Sequence, residues 1–305
     1  MTVVGNSTSA FYERSLSQMT ALRGSIETLQ TQIATGQKIQ RGSDDPAAAG
    51  RLRALLRAER LGDVEAESAA KLEQDLSIAA DELGGVNDLL IRARELAVQA
   101  GSDTLGEEAR AIVAEELEQL GEELFARANG TTLTGEPLFA GTAAGPAFTR
   151  DTNGVVTYAG NLENGAVPVA PGIEVERGVA GPQVFEFDLN GTPTSAFAVL
   201  SGLADALRGG SADPSAAALG AIAGIDEALD TSTRSQTVLG TRLAWVEVLQ
   251  QNQVNRGISL AEQRSEVGDT DISDAITRLQ QTLTALEASQ ATFSRVSSLT
   301  LFNAL

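Results

Sequence analysis

Apolar residues near the start of the chain recur every seven positions. Tyr12, Met19, Ile26 and Ile33 form one row, and Leu22 and Leu29 form a second between Ser15 and Gly36. Spacings of three and four put both rows on one stripe of a helix, the pattern by which helices pack side by side. Gly36 is a natural stop, because glycine takes the left-handed conformation that ends helices. The stretch Gly42-Ser43-Asp44-Asp45-Pro46 punctuates the chain. Pro46 suits the first turn of a second helix, with Ser43, Asp44 or Asp45 available to cap it.

The pattern beyond Pro46 is longer and more regular. Leu72, Leu76, Ala79, Leu83, Val86, Leu90, Ala93 and Ala97 alternate spacings of four and three without a break, and Gly84-Gly85 does not disturb them. This helix is expected to end near Gly101-Ser102-Asp103. Another opens at Glu107-Glu108, acids that favour a helix N-terminus, runs its seam through Val113, Leu117, Leu120 and Leu124, and stops at Asn129-Gly130. Its other face carries Glu115, Glu116, Glu118, Glu122 and Glu123, a pattern that reads as a solvated surface.

The middle differs in kind. Asn153-Gly154, Asn164-Gly165 and Asn190-Gly191 are turn signals of the hairpin type. Val155 to Tyr158, Ile173 to Glu176 and Val184 to Leu189 read as strands between them, the last alternating apolar and acidic residues. Helical periodicity then returns. Ala198 to Leu207 forms a short apolar helix, Gly209-Gly210-Ser211 a loop, and Ala216 to Leu229 and Arg234 to about Arg264 two further helices. Trp245, near Val238, Leu243 and Leu249, reads as core. The last helix spans about Asp271 to Phe302, with Ile272, Leu279, Leu286 and Phe293 seven apart and Ile276 and Leu283 in the partner row.

The predicted fold class is therefore mostly α with a β insert: an elongated antiparallel helical bundle or coiled coil of N- and C-terminal arms, with a small β-rich domain between them. The expected segments are 1–40 (N-terminal assembly helix), 41–142 (helical arm), 143–197 (β-rich insert), 198–268 (returning arm) and 269–305 (C-terminal assembly helix). Both ends carry narrow apolar seams, which must find partners in each other, in the inner helices or in neighbouring copies. Side-by-side association through heterologous contacts builds rings or helical tubes.

Composition narrows the chemistry. Of 305 residues, 42% are apolar but only 4% aromatic, so the core is expected to rest on Leu, Ile, Val and Ala. There is no cysteine and no histidine, which removes disulfides, thiolate catalysis and any Ser-His-Asp or Cys-His arrangement within the chain. A net charge of −19 is unsuited to nucleic acid or an anionic membrane surface. No apolar run reaches the length of roughly 18 residues that a membrane helix needs. Met1 to Phe11 does not read as a cleavable secretory signal, having no positive region and no apolar block. Asp269, Asp271 and Asp274 fit a helix cap better than a calcium loop, lacking the loop glycine and the distant Glu. The Asn-x-Ser/Thr matches at Asn6, Asn129 and Asn190 are of a kind common by chance. No catalytic, cofactor or metal residues are expected, and the chain does not read as an enzyme.

Several stretches resemble a known family. Thr35-Gly36-Gln37-Lys38-Ile39, followed by Ser43-Asp44-Asp45-Pro46-Ala47-Ala48, resembles the N-terminal signature of the flagellin superfamily. The Asp-Asp-Pro form is more like the hook-associated junction branch than filament flagellin. Pro137 to Thr142 resembles the family's exit from the helical arm. Tyr158 to Asn161, Val169 to Ile173 and Gly181 to Phe185 resemble that branch's insert, and Val238 to Leu243 its returning helix. Asp269 to Ile272 and Ser298 to Leu305 resemble its C-terminus, although the tail is longer than usual.

The resemblance implies a structural subunit of the bacterial flagellum that joins hook to filament outside the cell. It implies export by the flagellar type III route without a cleaved signal, and terminal segments that order on assembly. Implied partners are other copies, another hook-associated protein, flagellin, and a cytoplasmic export chaperone on the C-terminal helix. The same-family alternative is flagellin itself; outside the family, a cytoplasmic coiled-coil scaffold or a carboxylate-based enzyme. The expected assembly interface is Tyr12, Met19, Leu22, Ile26, Leu29 and Ile33 with Ile272, Ile276, Leu279, Leu283, Leu286 and Phe293, within or between subunits.

Overall fold

The computed structural model of the protein describes residues 3–302, with side chains from Ser9 to Ser297. The C-terminal stretch Asn303-Ala304-Leu305, Met1 and Thr2 lie outside the described residues, as do the side chains of the tail motif from Ser298 onward.

Helix α1 (Val3–Thr35) stops at Gly36, whose φ of +70° is the left-handed value the stop requires. Helix α2 (Pro46–Ala100) starts at the expected proline. Of the three candidate caps it is Asp45 that serves, accepting from the Ala48 N–H at 2.9 Å, while Asp44 turns back to the Arg41 N–H. The seam Leu72, Leu76, Ala79, Leu83, Val86, Leu90, Ala93 and Ala97 is buried throughout. Helix α3 (Glu107–Ala128) buries Val113, Leu117 and Leu124, and Leu120 packs against the same core. Its terminal Asn129 does more than stop the helix. The side-chain amide donates to the Phe148 carbonyl and accepts from the Phe148 N–H, fixing the first strand to the helix end.

The β region consists of three separate antiparallel hairpins: β1 (Phe148–Arg150) with β2 (Val156–Tyr158), β3 (Ala166–Ala170) with β4 (Ile173–Glu176), and β5 (Glu186–Leu189) with β6 (Thr192–Ser195). Two expected turns stand where they were placed. Asn153-Gly154 joins β1 to β2, and Asn190-Gly191, with φ of +53° and +80°, joins β5 to β6. Asn164-Gly165 is not a hairpin turn: it leads from β2 into β3, and that hairpin turns at Pro171-Gly172. The alternating run Val184 to Leu189 is also not all strand. Pro182–Phe185 forms the single-turn helix α4, because Pro182 starts a turn that buries Val184 and Phe185 together.

Helix α5 (Ala196–Asp205) is capped by the Ser195 hydroxyl and runs into a π-turn at Ala206–Gly210. Helix α6 (Pro214–Gly268) then runs unbroken, whereas the sequence pattern suggested two helices parted near residues 230–233. The polar stretch there, Asp230-Thr231-Ser232-Thr233, has poor helix propensity, but Thr231 and Ser232 are buried. Tertiary packing overrides the local preference. Helix α7 (Ile272–Phe302) starts behind Asp271, which accepts from the N–H groups of Ser273 and Asp274.

The chain forms two compact units. One is Met1–Leu61 with Arg256–Leu305, the other Gly62–Asn255. The second holds the continuous hydrophobic core, from Ala69 to Leu249. Within it α6 runs antiparallel to α2, as the pairs Asn87–Gln236 and Glu73–Gln250 require. The hairpins have no core of their own. Their side chains join a Phe cluster in which Phe148 stacks edge-on to Phe185 and lies 5.2 Å from Phe197. Phe139 and Phe125 extend the cluster, the latter under the Arg150 guanidinium. The core is thus aliphatic between the helices, as expected, but aromatic where the hairpins meet them.

Candidate assembly interface

In the terminal unit α1 and α7 pack against each other as an antiparallel pair. At one end the chain reversals are joined by backbone: the Lys38 N–H donates to Gly268 O and the Thr270 N–H to Gly36 O, both at 2.8 Å. Toward the other end the Tyr12 ring meets Phe293 edge-on, with centroids 5.3 Å apart. These contacts, at the two ends, set the register along the pair.

On α1 the inward stripe is the one the heptad specifies. Ile26 is buried, at 8% exposure, and Tyr12, Met19, Leu22, Leu29 and Ile33 are half-buried. On α7 the six expected residues divide. Leu279, Leu286 and Phe293 lie half-buried on the inward side. Ile272, Ile276 and Leu283 are 50%, 41% and 40% exposed. The inward row of α7 instead alternates large with small side chains: Ala275 (4% exposed), Leu279, Thr282, Leu286, Ser289 and Phe293. Sequence reasoning missed Ala275, Thr282 and Ser289 because it followed bulk. Their spacing of seven, interleaved with Leu279 and Leu286, was the available signal, since small residues let two helices approach closely.

A groove of about 540 Å³ lies in the same unit, with Ala47, Ala48, Ala54, Leu55 and Val267 among its lining and Lys38, Arg51, Asp45 and Glu266 around them. Glu59 and Arg264 pair nearby at 3.2 Å, holding the start of α2 to the end of α6.

The other unit holds a cleft of about 330 Å³ between α2, the loop after α3 and the residues following β4. Its lining contains a clamp. Arg177 donates to Asp75, which is only 7% exposed, and also pairs with Glu136. The clamp fixes the hairpin region to α2. The acidic face of α3 is likewise occupied. Glu116, Glu118 and Glu122 pair with Arg92, Arg208 and Arg150 from elsewhere in the chain, and Glu123 pairs with Arg127 one turn on along α3, so a face that read as solvated carries arginines along its length. Each exposed pair contributes at most about 1 kcal/mol. Trp245 is not in the core. It is 47% exposed, because α6 turns Val246 and Leu249 inward and Trp245 aside.

Two titration shifts follow from burial and local hydrogen bonds. Burial pushes the Tyr158 hydroxyl above its ordinary pKa, and the hydroxyl donates to the carbonyls of Phe139 and Asn161. Asp151, in the β1–β2 turn, is held below the ordinary range by backbone N–H groups, that of Val155 foremost. Among the described residues no three acidic side chains converge to hold a metal ion, and no helix is long and apolar enough to cross a membrane.

Residues 7–144 match the family described as bacterial flagellin N-terminal helical region. The chain is 27% identical to flagellar hook-associated protein 3 of Salmonella typhimurium, over 97% of this chain and 98% of that one. It is 26% identical, over the same shares, to flagellar hook-associated protein 3 of Escherichia coli. Among solved structures, flagellar hook associated protein-3 from Legionella pneumophila shares the fold, with a TM-score of 0.64 at 16% identity, covering 70% of this chain and 98% of that one. The chain thus matches the model of the flagellin N-terminal helical region in its first half and is similar to hook-associated proteins 3 over nearly its whole length.

Proposed function

We propose that this protein is a structural subunit of the bacterial flagellum that joins hook to filament by self-assembly through its terminal helices. The observation that carries the reading is the division of α7 into two rows. One row closes against α1, while Ile272, Ile276 and Leu283 leave a second apolar row open. An open apolar row on a terminal helix favours a neighbour, and repeated head-to-tail contacts of that kind close into rings or extend into helical tubes. Tyr12, Met19, Leu22, Ile26, Leu29, Ile33, Leu279, Leu286 and Phe293 then hold the pair together. Ile272, Ile276 and Leu283 face other subunits.

The similarity to hook-associated proteins 3 supports the finer parts of the reading. The subunit contacts flagellin on one side and another hook-associated protein on the other. It leaves the cell through the flagellar type III channel, and a cytoplasmic chaperone covers α7 beforehand. A chain with no cysteine meets the physical demand of that route, since no covalent crosslink opposes unfolding.

The test is quantitative mass spectrometry of sheared flagella with hooks attached. A small, reproducible amount, far below flagellin, is the expected result. A dominant amount makes the protein the filament subunit instead, and its restriction to cytoplasm overturns the flagellar reading.

A further inference from the structure

Trp245 is the only tryptophan in the chain, and it lies in an ordered row on α6. Val238, Thr241, Trp245 and Val248 follow spacings of three and four, so they share one helix face. That face is open: Val238, Trp245 and Val248 are 42%, 47% and 50% exposed. The neighbouring row, Leu239, Val246 and Leu249, is the one buried in the core, and Arg242 between them donates to the Gly178 carbonyl. The Trp245 row is therefore a second seam beside the buried one, with the spacing that receives the ridge of another helix.

Charge argues for what covers it. The chain carries −19, yet between Thr237 and Asn255 only Arg242 and Glu247 are charged, and the row itself has no charge. Arg242 is committed to Glu176. A basic partner would be drawn to the acidic faces elsewhere on the molecule. A second copy, equally acidic, is repelled by those faces and can approach closely only where charge is missing. We propose that the Val238–Trp245–Val248 face packs against a helix of a neighbouring copy, with Trp245 as its anchor. This rests on the reading of the chain as a self-assembling subunit and adds the surface used. Four side chains cover far less than the roughly 800 Å² per partner of a stable pair. Free copies therefore stay apart, and the seam closes only when other subunit contacts act with it. Large aromatic side chains are the residue type that concentrates binding energy in such small patches.

The experiment places a photo-crosslinking residue at Thr241 in one form of the protein and co-expresses it with a second, epitope-tagged form. Flagella are then purified and irradiated. The expected product has twice the chain mass and contains both forms. The same residue at Glu115, on the acidic face of α3, should give no such product. Protein that is present in the flagella but crosslinks at Thr241 only to a different protein, or to nothing, overturns the seam while leaving the assembly reading intact. Protein absent from the flagella overturns the assembly reading and the seam with it. A second readout uses the single tryptophan: acrylamide should quench Trp245 emission several-fold less in assembled than in soluble protein, and equal quenching refutes burial. Trp245→Ser, an exposed substitution that leaves the fold intact, should reduce incorporation at least tenfold.

Discussion

Ile26→Asp and Leu283→Asp place the same carboxylate on the two helices of one pair, but in different surroundings. Ile26 is 8% exposed between α1 and α7, so the substitution removes a buried side chain and puts a charge in its place. Losing a buried Ile costs about 2–5 kcal/mol, and an unpaired carboxylate adds to that. A loss of about 3 kcal/mol in α1–α7 pairing is about two decades in the equilibrium constant, per subunit. Leu283 is 40% exposed, so its replacement costs the pair about 1 kcal/mol or less. On the proposed reading it removes apolar surface that a neighbouring subunit would cover. Both variants should therefore fail to enter flagella, assayed by immunoblot of sheared appendages in a strain lacking the wild-type protein. They should differ in the soluble protein. Hydrogen exchange of residues 12–35 and 272–296 should quicken for Ile26→Asp relative to Leu283→Asp. The melting of the 62–255 unit should move by no more than about 1 °C in either, because its core, from Ala69 to Leu249, includes neither residue. Normal incorporation of either variant refutes the division into an inner and an outer row.

Further outcomes follow from the packing of the larger unit. Arg177→Ala leaves the nearly buried Asp75 without its partner and should lower stability by about 1–3 kcal/mol, discounted from the fully buried case because Arg177 is partly exposed. Adding Asp75→Asn should restore most of the loss in a thermal melt. Gly84→Ala should stabilise the protein and Gly85→Ala should not. A Cβ at Gly84 meets only Gln236 at 3.6 Å and should stabilise the helix by about 0.5–1 kcal/mol. At Gly85 it would meet the Arg127 guanidinium and push that side chain from Glu82 and Glu123, so the denaturant midpoint should fall or stay unchanged. Tyr158 has a raised folded pKa through burial, so folding favours its neutral form. Its contribution is complete below the unfolded value of about 10 and is lost as pH rises through the folded value. Tyr158→Phe should flatten the alkaline limb of a stability–pH profile, and an unchanged limb would assign it to other groups.

Much of this architecture is written in local pattern. Heptads placed α1 and the start of α7, the four-three alternation placed the buried side of α2, and Gly36, Pro46 and Asn129-Gly130 marked ends that the structure keeps. These depend on short-range effects, namely helix periodicity, caps and left-handed glycine, which a single segment carries in itself. The motifs that resemble the flagellin superfamily were equally local, and so could be recognised before any packing was known.

What the sequence could not decide was which of two adjacent apolar rows a helix turns inward. On α7 that choice went to Ala275, Leu279 and Leu286 over Ile272, Ile276 and Leu283, because close approach to α1 rewards small residues beside large ones. On α6 it went to Leu239, Val246 and Leu249 over the row of Trp245. Neither choice lies in the periodicity, which is the same for both rows. Likewise, continuity of α6 through Asp230–Thr233, the Arg177 clamp and the Phe cluster under the hairpins join residues far apart in the chain. Their energies exist only once the chain has folded, so only the tertiary structure set them, and with them the surfaces left open for assembly.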